Sequence, residues 1–165
     1  MAGALQNSIV NKDFPLILSE DAKVLPFETL LTDASRTVVM YSGTLLGQVA
    51  ASKKWVPWTT VTATDGSSIP LGIYVGPDVT AAALAAGDVT NAPILVGDAV
   101  IDTNLIVFDK GSTGVGTALT LDTVFTDNAA GSGTATPYFV VRAEVILNLK
   151  GIFVTGTQAA DLPEN

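Results

Sequence analysis

The chain has no cysteine and no histidine among its 165 residues. The first absence excludes disulfide staples, thiolate catalysis and cysteine-ligated metals; the second removes the side chain that most often moves protons near neutral pH. Charge is scarce as well. Asp, Glu, Lys and Arg make up 15% of the residues, and eight cations stand against sixteen acids for a net charge of −8. Nucleic-acid binders draw most of their affinity from Lys and Arg set against phosphates. Here Lys12, Lys23, Lys53, Lys54, Lys110, Lys150, Arg36 and Arg142 are scattered, and their one cluster, Lys53-Lys54, reads as a solvated turn. Nucleic acid is therefore not an expected partner. No window reaches the about eighteen uninterrupted apolar residues that a membrane helix requires. Met1 to Asn11 lacks the basic start and apolar run of a secretion signal, so the expectation is a product made in the cytoplasm with no membrane attachment.

What the chain does have is apolar content. Hydrophobic residues account for 48% of it and the mean hydropathy is +0.45, far from the composition of a disordered chain. The length suits one compact domain with a small appendage. So apolar a chain with so few charges is expected to bury part of its surface against copies of itself or against a partner.

The pattern divides the chain into an extended N-terminal arm over residues 1–40, a core domain over 41–155 and a polar, acidic tail over 156–165. In the arm, Phe14-Pro15-Leu16-Ile17-Leu18 and Val24-Leu25-Pro26-Phe27 are short apolar runs broken by proline, which removes a backbone donor and confines a segment to extended or edge positions. Such a segment needs a surface to lie on. An ordinary edge strand folded onto its own domain explains the same residues equally well, and the sequence leaves both readings open.

From Thr37 the character becomes β. Val38 to Tyr41, Leu45 to Ala50, Trp55 to Val61 and Pro70 to Val75 are strand-like runs separated by Ser42-Gly43, Ser52-Lys53-Lys54 and Asp65-Gly66-Ser67-Ser68. Pro93 to Val96 and Ala99 to Ile101, split by Gly97-Asp98, read as a hairpin or bulged strand, and Leu105 to Phe108 continues the pattern. Thr80 to Ala86 has the composition of a short helix. Gly111 to Gly116 and Asn128 to Thr136 read as small-residue loops. A C-terminal helix is expected from Thr136 as N-cap and Pro137 at the first turn, with Phe139, Ala143, Ile146 and Leu149 or Lys150 as its core stripe and Gly151 after its end. Ile152-Phe153-Val154 is a final strand. There is no internal repeat. The fold class is mainly β with minor α: a small antiparallel barrel or sheet with one C-terminal helix.

Little of this carries chemistry. No lysine stands in an S-x-x-K motif, and Gly111 to Thr117 lacks the Lys-Ser/Thr ending of a phosphate loop. Asp98 with Asp102, and Asp122 with Asp127, do not have the spacing of a calcium loop. Neither catalysis, a metal nor a cofactor is expected. Trp55 and Trp58 do not alternate cleanly at period two, so at least one is open to face solvent, to stack on a sugar or anchor a protein interface, though buried core is the commoner fate of such residues.

The stretch from Ser42 to Val75 resembles the head decoration protein of phage lambda and its relatives, the trimeric capsid-cement family. The resemblance is carried in order by Gly43-Thr44-Leu45-Leu46-Gly47, Lys54-Trp55-Val56-Pro57-Trp58, Asp65-Gly66-Ser67 and Leu71-Gly72-Ile73. Gly87-Asp88 with Pro93 to Val100, and Leu149 to Val154, extend it, so that it covers roughly Tyr41 to Val154. The motif residues Gly43, Leu46, Gly47, Trp55, Pro57, Trp58, Asp65, Gly66 and Gly72 would be core and turn positions. The resemblance implies a homotrimer on the outer surface of the capsid, seated on three-fold and quasi-three-fold positions. Phe14, Pro15, Leu16, Ile17, Leu18, Val24, Leu25 and Phe27 would form the arm that reaches the major capsid protein. The residues from Gly111 to Thr136 and the arm itself are longer than that family's compact members need. A second reading from another class is a carbohydrate-binding β-module of a phage tail or secreted adhesin, with Trp55 and Trp58 as its platform.

Overall fold

The computed structural model describes residues 22–61, 63–109, 119–121, 124–126 and 140–155. Five strands close into a barrel: β1 (Lys23–Leu30), β2 (Leu45–Gln48), β3 (Trp55–Pro57), β4 (Gly72–Tyr74) and β5 (Val89–Gly97), in the order β1-β3-β2-β4-β5. Four of the five junctions are antiparallel. The fifth is not: β1 meets β3 in parallel, through the single pair Leu30 and Trp55. The fold is thus mainly β, as expected, but its barrel is mixed rather than purely antiparallel.

The turns follow local chemistry. Between β2 and β3, Lys53 takes the left-handed conformation at φ 58, and Gln48 Nε2 donates to its carbonyl at 2.9 Å. Asp65 Oδ1 accepts from Ser67 N at 2.9 Å and Ser67 Oγ at 2.6 Å, while Gly66 supplies φ 95. Those Ser67 bonds hold the Asp65 carboxyl below the usual aspartate range. The two loops are joined where Ala50 N donates to Asp65 O at 2.8 Å. The short helix α1 (Ala81–Ala86) starts where Thr80 Oγ1 accepts from Ala83 N at 3.2 Å, and its Leu84 is buried.

Consecutive residues of the strands feed two cores. Leu46, Trp55, Tyr74 and Ile94 join Leu30, Met40, Val79, Leu84 and Ala92 in one. Leu45, Ile73 and Leu95 join Trp58, Val75, Ile101, Leu147 and Ile152 in the other. Strands covered on both faces read as unbroken apolar runs instead of alternating ones, which is why Leu45-Leu46 and Ile94-Leu95 stand side by side.

The second core is completed outside the barrel. β6 (Ala99–Asp102) does not fold back on β5 as a hairpin; it pairs in parallel with β9 (Ile152–Thr155), from Ala99 opposite Ile152 to Asp102 opposite Thr155. The chain turns the corner at Gly97-Asp98: Asp98 has φ 52, Ala99 N donates to Gly151 O at 2.9 Å, and a Cβ on Gly97 would lie 2.8 Å from the Lys150 carbonyl. The run expected to continue as a strand at 105–108 opens with a single 3-10 turn, Thr103–Leu105, and keeps only an isolated parallel bridge between Thr44 and Val107. The C-terminal helix is shorter than expected. β8 (Val140–Arg142) pairs with β7 (Val124–Thr126), so those residues are spent in a ladder and α2 runs only over Ala143–Leu149. Ala143 and Leu147 are its buried positions, whereas Leu149 is 80% exposed and not part of a core stripe. The expected cap at Thr136 and Pro137, both glycine-rich loops and the tail lie outside the described residues.

The expected boundary at residues 40 and 41 also has to move. Lys23–Leu30 is a strand of the barrel, paired with β5 from Lys23 opposite Gly97 to Leu30 opposite Val89. From Lys23 onward the segment is therefore the domain's own strand. Phe14 to Leu18 lie outside the described residues.

Candidate functional site

Pro57 shapes a recess in the described surface. Hydrogen bonds from Val49 N to Lys54 O (2.9 Å) and from Trp58 N to Leu45 O (2.9 Å) fix the β2–β3 register. Alternation then turns the carbonyls of Trp55 and Pro57 away from β2, toward β1. Trp55 O accepts from Leu31 N at 2.8 Å. The next donor in that ladder would be the N–H of Pro57, which does not exist. Pairing stops, Asp33 N goes instead to Leu84 O at 2.9 Å, and the two segments part around a cleft of about 280 Å³ floored by Leu31, Val56 and Leu84.

Charges around this cleft are mostly spent. Arg36, 5% exposed, donates from Nη1 to Asp109 Oδ1 at 2.9 Å and from Nη2 to Asp109 Oδ2 at 2.5 Å. It also donates from Nε to Val38 O at 2.8 Å and from Nη2 to Val39 O at 3.2 Å. This two-pronged pair clamps the chain leaving β1 onto the segment after the 3-10 turn. Lys54 Nζ is paired with Asp88 Oδ2, and Asp88 Oδ1 accepts from Thr32 N at 2.9 Å; these bonds, the lysine's first, draw the Asp88 carboxyl below its ordinary range. Nothing in the sequence pointed to either pair, since the partners of the first lie 73 residues apart and those of the second 34 apart.

The residues that carried the family resemblance converge on the barrel wall. Leu46, Trp55 and Trp58 are buried. Trp55 Nε1 donates to Glu28 Oε2 at 2.8 Å and Trp58 Nε1 to Ser68 O at 2.8 Å. Neither indole is a platform for sugar, so the stacking role considered for them has no surface to act on. A Cβ on Gly47 would lie 2.1 Å from the Ser67 carbonyl, and one on Gly72 would lie 3.0 Å from Trp55 Cζ3. Gly43, at φ 90, is crossed as closely by the Leu105 carbonyl. These positions, together with the Asp65-Gly66 turn, build the barrel wall and its turns.

Exposed apolar side chains lie elsewhere. The register shift between Leu25 and Glu28 places Pro26 and Phe27 in a bulge on β1, and Phe27 is 79% exposed. Bulges re-aim side chains, and this one turns an aromatic ring outward. Val24 packs half-buried against the core and Leu25 is half-buried, so of the three described arm candidates only Phe27 is exposed. Val38, Tyr41 and Leu105 are exposed on segments that run side by side through Val107 N to Gly43 O (2.9 Å). Val145 and Leu149, four apart on α2, and Phe153 on β9 are also exposed. The four-residue spacing of Val145 and Leu149 was a signal available in the sequence. No cluster of three or more Asp or Glu side chains positioned to hold a metal occurs among the described residues.

Fold and surface together define a small β-barrel that offers apolar and aromatic side chains for contact. The chain matches the family of the bacteriophage lambda head decoration protein D over residues 16–122, well over half its length, and belongs to that family. The match begins earlier than the resemblance read from the sequence, taking in the residues from Leu16 onward and all five barrel strands, and stops before α2 and β9. No curated protein and no solved structure matched the chain.

Proposed function

We propose that the chain coats the outer surface of a mature phage capsid as trimers, binds the major capsid protein and stabilises the shell against the pressure of packaged DNA. Membership of the head decoration family over residues 16–122 carries this reading. The physical character of the chain supports it. A net charge of −8 suits a protein that faces outward and does not compete for the packaged DNA. Exposed Phe27, Tyr41 and Phe153 are the kind of side chain that anchors protein interfaces. Each subunit contact can be modest, because three linked contacts raise avidity through effective concentration.

The residues before the barrel, Phe14 to Leu18, act in this reading as an arm laid on the capsid protein, with Phe27 as the adjoining anchor on the barrel. The protein works by contact rather than turnover and needs neither cofactor nor metal. The test is to add the purified chain to undecorated shells of its phage and reconstruct the particles by cryo-electron microscopy. Density in groups of three at three-fold positions, with a rise in shell rupture temperature, is the expected result. Isolated monomers, dimers on two-fold axes or no binding would overturn the proposal.

A further inference from the structure

The opened β1–β3 seam has a second property. Trp58 N–H is bonded to Leu45 O on β2, and the next residue, Thr59, lines the cleft with an N–H that has no hydrogen-bond partner among the described residues. Two residues before it, the Pro57 carbonyl faces the same way, and β1 pairs with β3 only at Leu30 and Trp55. An acceptor and a donor two residues apart on one edge are what a single residue of an extended chain satisfies in a β ladder. Thr59 itself is exposed, so the edge is reachable.

The electrostatics select among extended chains. Arg36 is committed to Asp109 and Lys54 to Asp88, so neither offers a free cation to the cleft. Among the described residues the carboxylate of Asp33, which lines the cleft, is bound only through Oδ1, to Ser35 N at 3.1 Å and Ser35 Oγ at 2.7 Å, and its second oxygen has no partner there. The floor of Leu31, Val56 and Leu84 takes an apolar side chain.

We propose that this cleft is a strand-addition site for an extended peptide segment of the capsid protein, one that places an apolar residue on the floor and a Lys or Arg against Asp33. The inference rests on the capsid-decoration reading and names the part of the barrel that reading would use besides the arm. The segment's main chain donates to Pro57 O and accepts from Thr59 N–H.

Amide hydrogen exchange of the full chain, free and on undecorated shells of its phage, tests it at the peptide spanning Val56 to Val61. The Thr59 amide is expected to exchange about ten-fold more slowly on the shell, as a newly bonded N–H does. Thr59→Pro, which removes that donor and also fixes the local φ, should weaken shell binding at least about five- to ten-fold, the loss of one main-chain hydrogen bond. Thr59→Ala keeps the N–H and should bind as the parent does, while Asp33→Asn should weaken binding and flatten its salt dependence. Should Thr59→Pro fail to fold, the exchange measurement on the unmodified chain decides alone. Failure of that chain to bind shells would remove the decoration reading itself. Binding with unchanged exchange at Thr59 would remove the cleft and leave decoration standing.

Discussion

At the scale of single residues, close backbone approach sets sharper limits than hydrophobicity. Gly47 stands in β2 where the Ser67 carbonyl crosses it, and a Cβ there would sit 2.1 Å from that oxygen. Gly47→Ala must push the 65–68 turn away from β2, at a cost of about 1–3 kcal/mol or more in a urea melt. Gly87→Ala is the matched control. Nothing lies within 4 Å of a Cβ there and the backbone is extended at φ 167, so stability should hold or rise by about 0.4–1 kcal/mol. Tyr74 shows a different limit. Its hydroxyl donates to Pro77 O at 2.6 Å, and burial, with the Asp78 charge nearby, pushes its pKa from 10.0 up to about 12. The neutral phenol is the form the fold favours. Its contribution is therefore complete below pH 10.0 and is lost as pH rises toward about 12. Tyr74→Phe should cost about 0.5–1.5 kcal/mol at neutral pH, and its stability should fall less steeply than the parent's across that alkaline window.

At the scale of elements, the Arg36–Asp109 pair joins two segments with no strand pairing between them beyond the isolated bridge at Thr44 and Val107. Its guanidinium also caps the Val38 and Val39 carbonyls, so one side chain ties this part of the loop after β1 to Asp109. Asp109→Ala leaves that charge buried without its counterion and should cost about 3–5 kcal/mol. The double replacement Arg36→Met with Asp109→Ala should recover part of the loss, and a double-mutant cycle of denaturant melts measures the difference. Much at this scale was readable beforehand. The Asp65-Gly66 turn, the short helix after Thr80 and the strand at 152–154 stand where they were expected. The expected hairpin at 93–101 was not found, because the partner that takes β6 is β9, some fifty residues later in the chain.

At the scale of the whole molecule, closure of the barrel depends on β1, which bridges β5 and β3. Deleting residues 1–21 should leave the melt of the barrel within about 0.5 kcal/mol of the parent while reducing shell binding, since no described barrel strand is touched. Deleting residues 1–30 removes β1, exposes two strand edges and should abolish the cooperative transition. Circular dichroism melts of the two truncations, beside shell-binding assays, separate an arm from a strand. Equal binding by the shorter truncation and the full chain would take the docking role away from Phe14 to Leu18.

Apolar content, the β character from Leu45 onward and the positions of several tight turns were determined by the sequence alone, whereas the expected strand over Val38 to Tyr41 keeps only an isolated bridge between Met40 and Val79. The former arise from side-chain branching, proline and glycine conformation and short-range hydrogen bonds, all of which act within a few residues. Only the tertiary structure decided that Val24 and Leu25 belong to a barrel strand, that both tryptophan rings face inward and that Arg36 meets Asp109. Those outcomes depend on which distant segment covers which face. In the one case where the two scales meet, a missing N–H at Pro57 ends the parallel seam, but only because β1 has been brought alongside it.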